Sequence, residues 1–152
     1  MKAVVTRVKC ASVRIDGKVN GSIDKGFLVL LGIGPEDTKA EAELLVDKIC
    51  NCRVFSDEQG KMNLNIEAVG GRMLVVSQFT LFADLKSRRP GFSGAGKPEM
   101  AMPIYEYFLE LVEKRLGSVE HGEFGADLEV DSVNDGPVTL LFDSLDFAPK
   151  TS

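Results

Sequence analysis

The chain has 152 residues, 44% of them hydrophobic and 27% charged, with a formal net charge of −5. That length suits one domain with a core of its own and no need of disulfide staples. The composition excludes a disordered or collagenous chain, the negative balance argues against coating nucleic acid through bulk charge, and the longest apolar run, Phe27 to Leu31, is too short to span a bilayer. The first residues show no charged-then-apolar leader pattern, so a cytoplasmic protein without a membrane segment is expected.

In chain order, Ala3–Val8 and Ser12–Ile15 read as strands rich in β-branched residues, and Asp16-Gly17 signals a hairpin turn into Lys18–Ile23. Lys25-Gly26 turns again. Phe27–Ile33 is continuously apolar, which suits a central strand buried on both faces, and Gly34-Pro35 stops it. Thr38 to about Cys52 reads as a helix, with Thr38 and Glu41 at capping-box spacing and Ala42, Leu45, Ile49 and Cys52 on one face. Short strands are expected at Arg53–Phe55 and Lys61–Leu64 about a turn at Asp57–Gly60, and Gly70-Gly71 leads into a strand over Arg72–Phe79. Asp84 to Pro98 lacks periodicity and reads as a long loop, a class that is usually functional. Glu99–Leu116 is helical, with Ile104, Phe108, Leu111 and Val112 on one side. Pro103 either starts that helix or kinks its first turn. Asp127–Val133 and Val138–Phe142 read as strands about a turn at Asp135-Gly136-Pro137, and Leu145–Ser152 as a mobile tail.

This order predicts an α/β protein with a mostly antiparallel or mixed sheet, two main helices and a single domain over residues 1–144. Gly32-Ile33-Gly34 lacks the third glycine of a dinucleotide fingerprint, and there is no phosphate loop with Lys-Ser/Thr.

The three cysteines, Cys10, Cys50 and Cys52, have no zinc-ligand spacing, and with His121 the only histidine a His/Cys metal site would be short of ligands. They read as reduced cysteines, and no metal or cofactor is expected. Ser77-Gln78-Phe79-Thr80-Leu81 ends an apolar strand with three hydrogen-bonding side chains around an aromatic. Such a segment either satisfies loop backbone or forms a site where free N–H groups bind an oxyanion or carbonyl. Asn134-Asp135-Gly136-Pro137-Val138-Thr139 reads as a turn, or as a backbone recognition element if the Gly-Pro bond is cis. The basic residues cluster locally, as Arg7 with Lys9 and as Lys86, Arg88, Arg89 and Lys97. Such a patch acts within a Debye length of about 8–10 Å whatever the total charge.

These two motifs, in this order and at this separation, resemble those of the D-aminoacyl-tRNA deacylases, and the likeness covers all but the last several residues. Arg7-Val8 with Ala11-Ser12-Val13, Phe55-Ser56-Asp57 with Gly60-Lys61-Met62-Asn63, and Arg89-Pro90 with Phe92-Ser93 support it. The resemblance implies hydrolysis of the ester joining a D-amino acid to the 3′-terminal adenosine of tRNA, by a homodimer whose sites lie at the subunit interface. It implies that Gly136-Pro137 is cis and reaches into the partner's site. There Gly136 and Pro137 would hold the substrate α-carbon against their carbonyls, so that an L-side chain is excluded and glycine is accepted. Ser77 would also contact substrate. The Phe79 N–H, with Gln78 beside it, would face the reacting carbonyl, and Arg7 would brace the Gly-Pro segment. Thr80 is the suspected nucleophile or polar participant, but no base lies near it in sequence. The reading favoured by the resemblance has the tRNA's own 2′-hydroxyl assisting an attacking water. Relatives with Gly-Thr-Pro have a different substrate preference, and the direct Gly136-Pro137 here matches the D-specific group. Lys86, Arg88, Arg89 and Lys97 lie where the match is poorer and are the candidate RNA contacts. Two rivals stand beside this reading: a non-catalytic dimeric module for an RNA end or small ligand, and a serine or threonine esterase using His121 as base, which lacks a Gly-x-Ser-x-Gly elbow.

Overall fold

Asp16 and Gly17 take positive φ at both positions, +50° and +78°, which is the backbone a two-residue hairpin demands. In the computed structural model, which describes residues 1–147, this turn joins β1 (Lys2–Ile15) to β2 (Lys18–Ile23). β1 is one long strand where the sequence suggested two: a register irregularity between Val8 and Cys10 lets it pass through the exposed Lys9 and Cys10 without breaking. One edge of β1 is shared, its first half pairing with β3 (Gly26–Gly32) and its second half with β2, both antiparallel. β8 (Glu129–Asp143) runs antiparallel along the other edge.

β3 sits between β1 and β6 (Arg72–Ser77), as its continuous apolar run demands. The connection from β3 to β6 carries α1 (Lys39–Asn51) and a small hairpin, β4 (Phe55–Ser56) with β5 (Met62–Leu64), so β6 returns parallel. α2 (Pro98–Leu116) likewise precedes β7 (Glu120–His121), which is parallel to β6. Asn20 Nδ2 donates to the His121 carbonyl at 2.7 Å, so β2 comes round to β7 and the sheet nearly closes on itself. The fold is the expected mixed α/β arrangement.

Closure splits the buried side chains by strand alternation. Phe27, Val29, Leu31, Met73 and Val75 face the helices, while Leu28, Leu74 and Val76 join Val8, Val13 and Ile23 inside the curled sheet. α1 begins with the expected capping box: Thr38 Oγ1 accepts the Ala40 N–H at 3.2 Å, and the Glu41 carboxylate accepts the Thr38 N–H at 3.0 Å. Its buried face is Ala42, Leu45, Val46, Ile49 and Cys50. Cys52, expected on that face, is the half-buried C-cap in extended conformation, because the helix has already ended.

α2 starts at Pro98, its first helical position, and runs through Pro103 instead of starting there. Pro103 lies on the exposed side one turn in, and its missing N–H forfeits only a bond to the Glu99 carbonyl. The face it buries is Ala101, Tyr105, Phe108 and Val112, with Ile104 and Leu111 half-buried at its margins. The Ser144 N–H bonds to the Met1 carbonyl at 2.9 Å, and a 3-10 turn over Ser144–Phe147 follows, with the Lys48 ammonium 5.1 Å from the Phe147 ring centroid. Of the segment expected to be a mobile tail, Leu145–Phe147 lie in this turn, and the rest falls outside the described residues. No helix among the described residues is long and apolar enough to cross a membrane.

Candidate active site

The buried run of β6 ends at Ser77, and the Gln78 N–H makes the last tie to β3, donating to the Leu31 carbonyl at 2.7 Å. The chain then turns into one 3-10 turn, Phe79–Phe82. Its first internal bond is from the Leu81 N–H to the Gln78 carbonyl, 3.3 Å. The Phe79 and Thr80 N–H groups come before that bond, so they have no partner within the turn and form a donor pair at its start.

The turn fits here because β3 ends in glycines. A Cβ on Gly32 would lie 3.0 Å from both the Gln78 carbonyl oxygen and Leu81 Cβ, and one on Gly34 would lie 3.0 Å from the Phe82 ring. The Gly32-Ile33-Gly34 segment that falls short of a nucleotide fingerprint is thus the seat of the 3-10 turn. Gln78 Nε2 donates to Thr80 Oγ1, which occupies the threonine hydroxyl with an amide and not with a base.

Phe79 is 53% exposed and packs edge-on against Phe92, centroids 5.1 Å apart. Beside this pair opens a cleft of about 930 Å³, bounded by Ser77, Gln78 and Lys97 and, across from them, by the Glu123–Leu128 segment. That size matches a small-molecule or nucleoside-sized ligand. The Glu123–Ala126 part of this wall has no periodicity to signal it, and Asp127 and Leu128, expected to begin the strand, precede β8 and join the wall. Its local cue is glycine: Leu128 Cδ1 would be 2.7 Å from a Cβ on Gly122, and Gly125 has φ +80°.

The long loop after the turn is partly ordered by its own backbone. Asp84 and Gly91 exchange N–H···O bonds of 2.7 and 2.9 Å, which puts Lys86, Arg88 and Arg89, all exposed, at the tip of a small hairpin. The Gly96 N–H then donates to the Ile33 carbonyl at 2.8 Å and docks the loop's return beside β3. Among the four basic candidates, Lys97, the N-cap of α2, borders the cleft, whereas the three at the hairpin tip do not line it.

Gly136 and Pro137 lie elsewhere, in an excursion of β8. The pairing of β1 with β8 goes from Thr6 with Thr139 to Val8 with Asn134, so Arg7 alone stands opposite Asp135, Gly136, Pro137 and Val138. The expected turn between two strands is therefore a wide bulge within one strand. Its Gly136-Pro137 peptide is cis, as the resemblance implied, and Gly136 has φ +140°. Arg7 is buried beneath it. Arg7 Nε donates to the Asp135 carbonyl at 2.9 Å, its Nη1 donates to the Val54 carbonyl, and the Asp135 carboxylate stands 3.6 Å from Nε. Gly136 and Pro137 are exposed and do not line the chain's own cleft, so the two motifs are not brought together within one chain.

His121 is exposed on β7, with Nδ1 2.9 Å from the Gly122 carbonyl. Its ring lies outside the cleft walls, away from Ser77 and Thr80, so the geometry of an esterase using it is missing.

Comparison with known proteins follows the same lines. The family model described as D-Tyr-tRNA(Tyr) deacylase matches residues 4–143. A D-aminoacyl-tRNA deacylase of Desulfatibacillum aliphaticivorans is 54% identical over 145 residues, covering 95% of this chain and 99% of that one. One from Thermosipho melanesiensis is 53% identical, covering 95% and 97%. Among solved structures, a protein titled c-Myc DNA Unwinding Element Binding Protein matches with a TM-score of 0.90 and 43% identity over 99% of this chain and 100% of that one. A probable eukaryotic D-amino acid tRNA deacylase shares the fold, with a TM-score of 0.82, 15% identity and coverage of 93% and 97%.

Proposed function

The chain belongs to the D-aminoacyl-tRNA deacylase family and is a hydrolase of that activity, and on that premise we propose how its site works. The terminal adenosine of the tRNA enters the cleft beside Phe79 and Phe92, with Ser77 against the substrate. The ester carbonyl oxygen points at the Phe79 and Thr80 N–H groups, and Gln78 lies alongside. Water adds its oxygen to the acyl carbon, the ester bond to the 3′ oxygen breaks, and the proton released from water passes by way of the neighbouring 2′-hydroxyl to that leaving oxygen. The negative charge gathered on the carbonyl oxygen falls on the two backbone donors, which are held in place before reaction begins. The protein thus supplies position and electrostatics, and the products are free D-amino acid and tRNA.

The observation that carries the chiral part of this reading is the separation of the two motifs. The Gly136-Pro137 bulge is exposed on the strand at the outer edge of the sheet and does not line its own chain's cleft. A second copy, docked along β8, would carry that bulge over the first copy's site. The outward residues of β8 suit such docking: Val133 and Leu141 are exposed, Leu141 by 81%, and Val130 on the other face borders the cleft. In this homodimer the Gly136 and Pro137 carbonyls face the substrate α-carbon and its amine. An L-side chain meets that wall, a D-side chain points away, and glycyl-tRNA passes because glycine has nothing to exclude. Lys97 at the cleft and Lys86, Arg88 and Arg89 on the hairpin take phosphates near the acceptor end, in the cytoplasm where charged tRNA is used.

Hydrolysis of D- and L-tyrosyl-tRNA by the parent and by Gly136→Ala tests the reading. A Cβ at Gly136 would lie 2.8 Å from Val138 Cγ2 and 3.1 Å from Arg7 Nη2, and φ +140° disfavours alanine, so the bulge must shift. The expected result is strong preference for the D-substrate in the parent, and in a folded Gly136→Ala a loss of D-activity of about tenfold or more, with a narrowed D/L ratio. An unchanged ratio overturns the wall.

A further inference from the structure

A bulge of four residues opposite one removes ladder bonds from both shoulders of the excursion, and its shape has to be held by something else. Arg7 holds the first shoulder through the Asp135 carbonyl. The second shoulder is held by a side chain. The Val138 N–H donates to Asn134 Oδ1 at 3.1 Å, and Asn134 Nδ2 donates to Thr139 Oγ1 at 3.2 Å, which is itself 3.5 Å from Thr6 Oγ1 on β1. One carboxamide therefore ties the residue entering the excursion to the two residues leaving it. Asn134 is exposed and contributes nothing to the core, so its two bonds are its structural work.

We propose that Asn134 is a positioning residue for chiral selection: its amide clasps the base of the bulge and sets how far the Gly136 and Pro137 carbonyls stand out from β8. This rests on the reading of those carbonyls as the wall against L-substrates. The geometry gives the clasp a division of labour with Arg7. Arg7 fixes the Asp135 side and anchors it to the Val54 carbonyl between α1 and β4, and Asn134 fixes the Val138 side to the strand itself. Gly136 and Pro137 lie between the two grips. An amide is suited to the task because it offers an acceptor and a donor on one rigid plane. A carboxylate keeps the acceptor for the Val138 N–H, and the Thr139 hydroxyl can rotate to donate to it.

The experiment measures kcat/KM for D- and L-tyrosyl-tRNA in the full chain for Asn134→Ala, Asn134→Asp and Thr139→Val, with thermal melting and dimer content beside each. Asn134→Ala, which removes both bonds, is expected to lower D-activity about five- to tenfold, the scale of modest hydrogen bonds lost at an exposed site. It is also expected to raise L-hydrolysis relative to D. Asn134→Asp should restore most of the D/L ratio, and Thr139→Val, which breaks one arm only, should fall between. A merely structural residue would lower both substrates equally and in step with melting temperature, and that result, or an unchanged ratio in a folded Asn134→Ala dimer, overturns the proposal. Should Asn134→Ala not fold, Thr139→Val decides by the same ratio. Gly136→Ala run alongside separates the two levels. If it leaves the ratio unchanged, the wall itself is wrong; if it narrows the ratio while Asn134→Ala does not, only the clasp is.

Discussion

Thr80 is where the chemistry of the site is most open to a single-residue test. Its hydroxyl accepts a hydrogen bond from Gln78 Nε2, and His121 lies outside the walls of the cleft. A hydroxyl nucleophile needs a base within hydrogen-bond reach, and the group bonded to this one is an amide. Thr80→Ala is therefore expected to lose less than about 100-fold in kcat, against ~10⁴ or more when a covalent nucleophile is removed. Single-turnover kinetics checks the number, and a trapped aminoacyl ester on Thr80 in mass spectrometry would contradict it. Arg7 illustrates the opposite kind of residue. It is buried and its guanidinium serves two backbone carbonyls in different directions, which a lysine's single ammonium cannot reproduce.

At the scale of elements, the site depends on how closely the 3-10 turn seats on the end of β3. Gly34→Ala places a methyl 3.0 Å from the Phe82 ring, so the ring, carried by the same turn as Phe79 and Thr80, must give by a few tenths of an ångström. Overpacking of this kind costs roughly 1–3 kcal/mol, so the variant should melt earlier and lose D-activity out of proportion to its unfolded fraction. Denaturant titration with activity on the same samples separates the two effects. The hairpin closed by Asp84 and Gly91 is a second element with its own test. It presents only three cations, with Lys97 a fourth at the cleft. Each phosphate contact contributes about −0.7 to −0.9 to the slope of log affinity against log salt, so tRNA binding should show a shallow slope. A slope typical of ten contacts would reveal another RNA surface.

For the whole molecule, the unpaired edge of β8 is decisive. A 15-residue edge strand with exposed Val133 and Leu141 offers a surface for association, while Glu129, Asp131, Pro137 and Asp143 along it disfavour indiscriminate pairing. Dimer content in sedimentation and specific activity are expected to fall together on dilution. A monomer with full activity would sever the site from the interface.

Much of the local structure is legible in the sequence, and for local reasons. Asp16-Gly17 needs only its own φ angles to make a hairpin, Thr38 and Glu41 cap a helix across three residues, and a run such as Phe27–Leu31 must be covered on both faces wherever it lies. The two motifs of the site were also visible, because Ser77–Leu81 and Asn134–Thr139 are contiguous. What tertiary structure decided is whatever depends on partners distant in the chain. The seat of the 3-10 turn is set by Gly32 and Gly34, more than forty positions before it, as roughly counted along the chain. The Glu123–Ala126 part of the cleft wall has no pattern of its own. The segment read as a turn at Asp135–Pro137 became a bulge inside one strand because β1 runs unbroken alongside it, which keeps β8 paired on both sides of the excursion. Hydrogen-bond register between strands 130 or so residues apart is a property of the assembled sheet, and no local propensity encodes it.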